Sequence, residues 1–429
     1  MTILRAMYAG VSGLTAEGGA LGVVGDNVAN TNTIGFKQSR AIFANVLGAA
    51  VGSTSGAGAG VQMLRTQQIF AQGSIINTGQ ATDVALSGDG FLVVSGMLEG
   101  TTGQYYTRAG QLALRNDGVL MNAAGLSVQG YPTDAQGRVS NKIGDLVLRK
   151  PPIPPRATSS VQMNANLDAS VTPPTAAWDP QDPSATSNMS TSITIFDSLG
   201  NSHVLDVYFR KNGAGDWEYH ALAKGSEISG GPPTGNMEVA SGQLAFDANG
   251  ALATNTVATP ASLDFIGATP GQAVAFDFGQ PTSAGGTGVD GLTQYGSPST
   301  VNSQGQDGYA SGSLAGVKIE PDGSVNGIYT NGKTLTAGKL AVAKFASNDG
   351  LAPAGGNLWV ATQLSGDAAL GQAGTGGRAQ LVAGSLEQSN VDITQQFVEL
   401  IAHQRAFQAN SKTITTADQM LQELMTIKQ

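Results

Sequence analysis

The spacing of apolar positions changes period between the ends of the chain and its middle. In the first thirty residues Met7, Leu14, Leu21 and Val28 recur every seven positions. Leu4 and Val11 begin a companion row that continues into Gly18 and Gly25. This is the a/d pattern of an amphipathic helix, with small residues along part of its seam. The last forty residues repeat the arrangement: Leu400, Phe407, Ile414 and Leu421 step by seven. Their companion row starts at Phe397 and ends at Met425, with Gln404, Ser411 and Asp418 between them. Asp392 precedes the apolar period and is placed to cap that helix. Either helix alone would leave a long apolar stripe in water, so the two are expected to pair.

Between the ends the period drops to two. Leu112 and Leu114 alternate before an Asp117-Gly118 turn, "VKIEPDGSVNGIYTNGKTL" carries two more turn signals, and alternation resumes at Leu340 and Val342. A second set lies in "TSITIFDSLGNSHVLDVYFRKNGAGDWEYHAL". There Leu205, Val207 and Phe209 share one strand face and Trp217 and Tyr219 lie on the returning strand. The proline-rich "RKPPIPPRATSS" (149–160) reads as a linker into a middle domain, and the Gly- and Ser-rich 281–306 as the linker out. Residues 49–60, "AAVGSTSGAGAG", read as a Gly-rich spacer. No Lys follows them at the spacing of a phosphate-binding loop.

The resulting expectation is a mixed, mainly β fold with α-helical coiled-coil termini and nested domains. Residues 1–30 and 392–429 form the helical domain, and 31–75 with 380–391 a connecting region. Residues 76–150 with 300–379 form an inner β-domain, and 151–299 an inserted outer one. At roughly 150 residues per domain, 429 residues accommodate this plan.

Composition narrows the function. Only 12% of residues are charged and 59 are glycine, which gives a neutral, small-residue surface suited to packing against copies of itself. A net charge of −9 without any basic run argues against nucleic acid as partner. With no cysteine, disulfides, thiolate catalysis and Cys-ligated metals are excluded. No window is long and apolar enough to span a membrane, and the N-terminal segment lacks the apolar core of a cleaved signal peptide. His203, His220 and His403 show no metal-ligand spacing. The acidic "SGDGF", "NDG", "PDG" and "QDG" sites are single Asp-Gly turns rather than calcium loops. Neither catalytic residues, nor a metal, nor a cofactor is expected.

The stretch "DNVANTNTIGFKQSR" (26–40) offers Asp26, Asn27, Asn30 and Asn32 as conceivable ligands. It follows the last heptad position and precedes the β region. Its Asn and Thr residues therefore read as the cap and turn that end the first helix, with Gly35 and Phe36 turning and anchoring the chain.

Residues 389–424, "SNVDITQQFVELIAHQRAFQANSKTITTADQMLQEL", resemble the C-terminal signature of the bacterial flagellar rod and hook family of axial proteins. "MYAGVSGLTAEGGALGVVGDNVANTNTIGFKQSR" is similar to the N-terminal signature. "ALSGDGFLVV" and "YTRAGQLALRNDGVLMNAAGLSVQGY" follow in the family's order. The insertion of about 150 residues and the return segment 306–347 resemble hook-forming members rather than the shorter distal rod protein, which stays the structural alternative. An extracellular β-rich adhesin is the remote alternative from another class.

The resemblance implies a subunit exported unfolded by the flagellar type III apparatus to the extracellular hook. It implies assembly beneath a hook cap, between the distal rod protein and the hook–filament junction proteins. The product would be an open helical homo-polymer with terminal helices lining its channel, a curved flexible tube that passes motor torque to the filament as a universal joint. The twelve seam residues would pack the subunits, and the 26–36 joint would touch neighbours.

Overall fold

The computed structural model describes residues 2–47, 58–134, 137–148 and 152–427. Two long helices bracket the chain, Thr2–Ala29 and Ile393–Ile427, and the regular structure between them is mainly β-strand. The chain divides into two compact units. The first holds Met1–Lys150, Ala315–Ile328 and Thr334–Gln429; the second holds Pro151–Leu314 and Tyr329–Lys333.

In the first unit the outgoing and returning halves of the chain are zipped together. Ser385–Glu387 pairs antiparallel with Ile75–Asn77, and Gln380–Ala383 with Val84–Ser87. Thr334–Lys344 then joins Phe91–Leu98 and Ser127–Pro132 in a twelve-stranded sheet. Each pairing closes a loop of hundreds of residues, so register depends on side-chain burial and not on local turns. The buried side is aromatic: Phe91, Tyr106, Phe345 and Trp359 share a cluster, with Phe70 edge-on to Phe91 at 5.6 Å and to Trp359 at 5.0 Å. The turn at Asp117-Gly118 forms as its sequence requires. Gly118 has φ of 91°, and the Val119 amide donates to the Asp117 carboxylate.

The helices pack along each other mainly beside the predicted seams, with Ile414 the seam residue that enters the contact. The side of the N-terminal helix that the protein buries runs through Gly10, Gly13, Ala16, Ala20, Val24 and Asn27. A methyl group on Gly10 would sit 2.8 Å from Ile414, and one on Gly13 2.6 Å from Asn410. Small residues are what let the backbones come this close, and they carry almost no hydrophobic signal. Across from them lie Gln396, Asn410, Ile414 and Ala417, and His403 pairs with Glu17 at 2.6 Å. A two-stranded sheet of Ser39–Leu47 and Gly58–Gln68 also rests on the N-terminal helix, with the Val61 amide on Ser12. The predicted spacer thus continues into a strand from residue 58, while 48–57 lie outside the described residues.

The second unit is a sandwich. One sheet is an antiparallel meander of Met189–Phe196, Ser202–Lys211, Asp216–Lys224, Asn236–Phe246 and Leu252–Thr259. The other is built around Ser160–Asp168. A single core joins the two, and Leu205, Val207, Phe209, Trp217 and Tyr219 are all at most 1% exposed in it.

The predicted linkers belong to this unit. Residues 153 and 156 bridge to Gly312 and Tyr309, while 149–151 lie outside the described residues. Within 281–306, Leu292–Tyr295 pairs parallel to Ser160–Asp168, and Thr300–Gln306 pairs antiparallel to it. The chain therefore leaves this unit near Leu314 and not at 299. Proline removes donors but leaves carbonyls free to pair. A mostly exposed polar strand also resembles a linker in composition alone.

Candidate functional site

The first helix ends where the sequence places its cap. The Asn30 amide donates to the Asp26 carbonyl at 3.1 Å, and its side chain reaches the Asp26 carboxylate at the same distance. Thr31 and Thr33 hydroxyls close the turn on the Val28 carbonyl and the Asn30 side chain. Asn32 is exposed. Gly35 takes φ of 70°, and a Cβ there would lie 2.6 Å from the Ala109 nitrogen, so the chain crosses the backbone just after strand Thr101–Thr107 where only glycine fits. Half-buried Phe36 offers its carbonyl to Asn390.

The Asn27 carbonyl accepts the Asn30 amide at 3.2 Å, but the Asn27 side chain points to other partners. It is 1% exposed, donates to the Ser39 carbonyl at 2.7 Å and to Gln396 at 2.9 Å, and accepts the Ser39 amide at 2.8 Å. One amide thereby ties the last turn of one helix to the first turn of the other and to the strand that follows.

Beside it is a charge cluster that no local pattern announces. Glu387 accepts Lys37 at 2.7 Å and the Gly73 amide at 2.9 Å on one oxygen, and Arg108 at 3.2 Å on the other. All three side chains are at most 2% exposed. Lys37 also donates to the Ala71 carbonyl, and Arg108 to the Gly88 carbonyl while lying 5.3 Å from the Phe91 ring. Burial pulls the Lys37 ammonium below its ordinary pKa, an effect that outweighs the attraction of Glu387. Burial lowers Arg108 likewise. Taking away one partner of such a set strands a buried charge, at a cost of about 3–5 kcal/mol. Asn390 completes the clamp: it accepts the Gln38 amide at 2.7 Å and donates to Ile69 and Ala71 carbonyls. Sequence does not single out Lys37, Arg108, Glu387, Asn390 or Gln396, because residues 37, 108 and 387 share no spacing.

The seam residues occupy a third setting. Met7, Leu14, Leu21 and Val28 are half-buried, as are Leu400, Ile414 and Leu421. Leu4, Val11, Phe397, Phe407 and Met425 are 55%, 50%, 51%, 39% and 75% exposed. Tyr8 extends the first patch at 70%, and Val398 and Ile401 the second at 63% and 50%. A methyl group placed on Gly18, Gly22 or Gly25 would meet nothing from the rest of the described chain within 4 Å. Both helices thus keep apolar faces that the protein's own fold leaves open.

The histidines are in carboxylate pairs. His203 lies between Glu227 (2.7 Å) and Asp197 (3.3 Å) and stacks on Phe265. His220 stacks on Trp178 and faces Glu238 at 3.3 Å. Among the described residues no group of three or more potential ligands is placed to hold a metal ion.

Family models match four stretches of the chain. Residues 7–37 match the flagella basal body rod protein family, 85–168 the flagellar hook protein FlgE/F/G D1 domain, 166–309 the flagellar basal body protein FlaE D2 domain, and 382–427 the flagellar basal body rod FlgEFG protein C-terminal family. The flagellar hook protein FlgE of Escherichia coli K12 is 34% identical over 97% of this chain and 98% of its own length. That of Treponema pallidum is 33% identical over 99% and 100%. Among solved structures, the Helicobacter pylori flagellar hook protein FlgE2 has the same fold, with a TM-score of 0.51 at 14% identity over 73% of this chain and all of that one.

Proposed function

Because the chain belongs to the flagellar hook protein family and is a structural subunit of the hook, we propose that the open faces of its terminal helices drive its polymerisation. The observation that carries this is the pair of uncovered patches, Leu4, Tyr8 and Val11 on one helix and Phe397, Val398 and Ile401 on the other. Contiguous apolar surface left in water marks a site of association. The two patches differ, so a contact between patch and patch is heterologous and propagates as an open helix. In such a tube the half-buried Met7, Leu14, Leu21, Val28, Leu400, Ile414 and Leu421 steady each helix pair beneath the contact. The helices form the wall of the channel.

In this reading the tube is curved, bends while rotating, and hands motor torque to the filament. It grows from the distal rod protein beneath a hook cap and is later joined to the hook–filament junction proteins. Its subunits arrive through the flagellar type III apparatus, and the finished polymer is extracellular. The family resemblance supports these partners and this route.

Val11→Asp or Ile401→Asp tests the reading. Both side chains are half exposed in the isolated chain, so folding stability measured by urea unfolding should move by no more than about 0.5 kcal/mol. Purified variant should form no tubes by electron microscopy, whereas the unaltered chain should. Tubes of ordinary appearance from either variant contradict it.

A further inference from the structure

Apart from the two-stranded sheet that rests on the N-terminal helix, the side-chain links between the helix pair and the β-strands of the first unit gather at one place. Three sets of side chains gather there: Asn27 of the first helix with Ser39 and with Gln396 of the second, and, on the segments that lead out of the first helix and into the second, Glu387 with Lys37 and Arg108 and Asn390 with Gln38, Ile69 and Ala71. Backbone bonds lie among them, from Gly35 to the Glu387 carbonyl and from Gln388 to that of Ser74, both at 2.8 Å. Asn357 adds a side-chain donor to the Ile34 carbonyl. The bonds run in several directions, so a rotation of the helices against the strands would have to stretch many of them together.

The charge balance singles out one residue. Two buried cations share a single carboxylate, and the Arg108 Nε has no hydrogen-bond partner at all. A shift that separated Glu387 from either cation would leave a charge in a dry site, and packed interiors move between discrete arrangements and not by gradual deformation. Coulombic attraction at such depth is also little screened by salt.

We propose that Glu387 is a positioning residue for torque: it locks the helix pair to the β-strands against twist, so that the bending of the hook is taken up elsewhere. This rests on the reading of the chain as a hook subunit. The expected flexible points of the sequence, the two linkers, are folded into the second unit in their described parts, and the residues where helix meets strand form a clamp.

The experiment uses full-length chain carrying Glu387→Gln or Glu387→Asp, assembled into hooks on cells. Torsional stiffness is read from the angular fluctuation of a bead fixed to the hook of a locked motor, with thermal unfolding recorded beside it. Glu387→Gln keeps the oxygen that faces Lys37 but removes the charge. Its hooks should assemble to ordinary length and show a clear loss of torsional stiffness relative to hooks of the unaltered chain. Glu387→Asp keeps the charge but is one methylene short of reaching Lys37, Gly73 and Arg108 together, and its hooks should soften less. A role confined to folding would lower the melting temperature and leave assembled hooks as stiff as before at a temperature well under the melt; that result overturns the proposal. If the Gln variant does not assemble, the Asp variant decides, and unchanged stiffness in its hooks is again the contradicting result. Failure of the unaltered chain to polymerise would sink the subunit reading itself, which keeps the two failures apart.

Discussion

Beside the strand pairings and the aromatic cluster, a few single polar residues tie distant parts of this chain together. Asn27 and Glu387 each join three segments, 27 with 39 and 396, and 387 with 37 and 108. Gly35 is the clearest local case. Its positive φ and the 2.6 Å approach to the Ala109 nitrogen leave no room for a Cβ, and the obstacle is backbone, which cannot swing aside. Gly35→Ala should therefore cost on the order of 2 kcal/mol or more in urea unfolding of the first unit. A loss of only a few tenths would show that the crossing can relax. The glycine and the Asn and Thr cap were legible in the sequence, because turn chemistry is local. The partners of Asn27 and Glu387 were not, since a contact between positions 350 residues apart leaves no periodic trace.

Among elements, alternation foretold the sandwich core correctly at Leu205, Val207, Phe209, Trp217 and Tyr219. Heptads foretold two helices that pair, while most of the close contact between them falls on smaller residues beside the heptad rows. Hydrophobic periodicity reports that a stripe needs cover, not what covers it. Gly10, Gly13, Ala16 and Ala20 bring the helices close, Ile414 enters the contact, and Leu4, Tyr8, Val11, Phe397, Val398 and Ile401 stay open. Composition misread 281–306 because a polar edge strand and a linker are written in the same residues.

The turn residue Asp307 also does more than turn. It accepts the Ser159 and Ser160 amides, the Ser159 hydroxyl and Arg156, which pins the start of strand Ser160–Asp168. Burial would raise its pKa, but these donors prevail and hold it at about 2 against an ordinary 3.8. A depressed folded-state pKa stabilises above the ordinary value, and the contribution disappears as pH falls towards 2. Asp307→Asn should therefore remove on the order of 2 kcal/mol from the second unit near neutral pH and flatten its acid limb between about pH 4 and 2. Urea titrations across that range, followed by tryptophan fluorescence, give the answer. An acid limb as steep as in the unaltered chain would assign that stability to other carboxylates.

For the whole molecule, the low charge density, the open helix faces and the clamp describe a part made to join copies of itself. Sparse charge leaves few ion pairs to break as neighbours shift during bending. The clamp keeps each helix pair fixed to its β-strands while they do so. The central claim is that the outward helix faces, and not the heptad seams as a whole, make the polymer. A helical reconstruction of the assembled tube at side-chain detail tests this most directly. Leu4, Tyr8, Val11, Phe397, Val398 and Ile401 should all be buried against neighbouring copies, with each helix pair kept as in the single chain. Finding those six side chains in water, with the tube held together by other surfaces, would contradict the account.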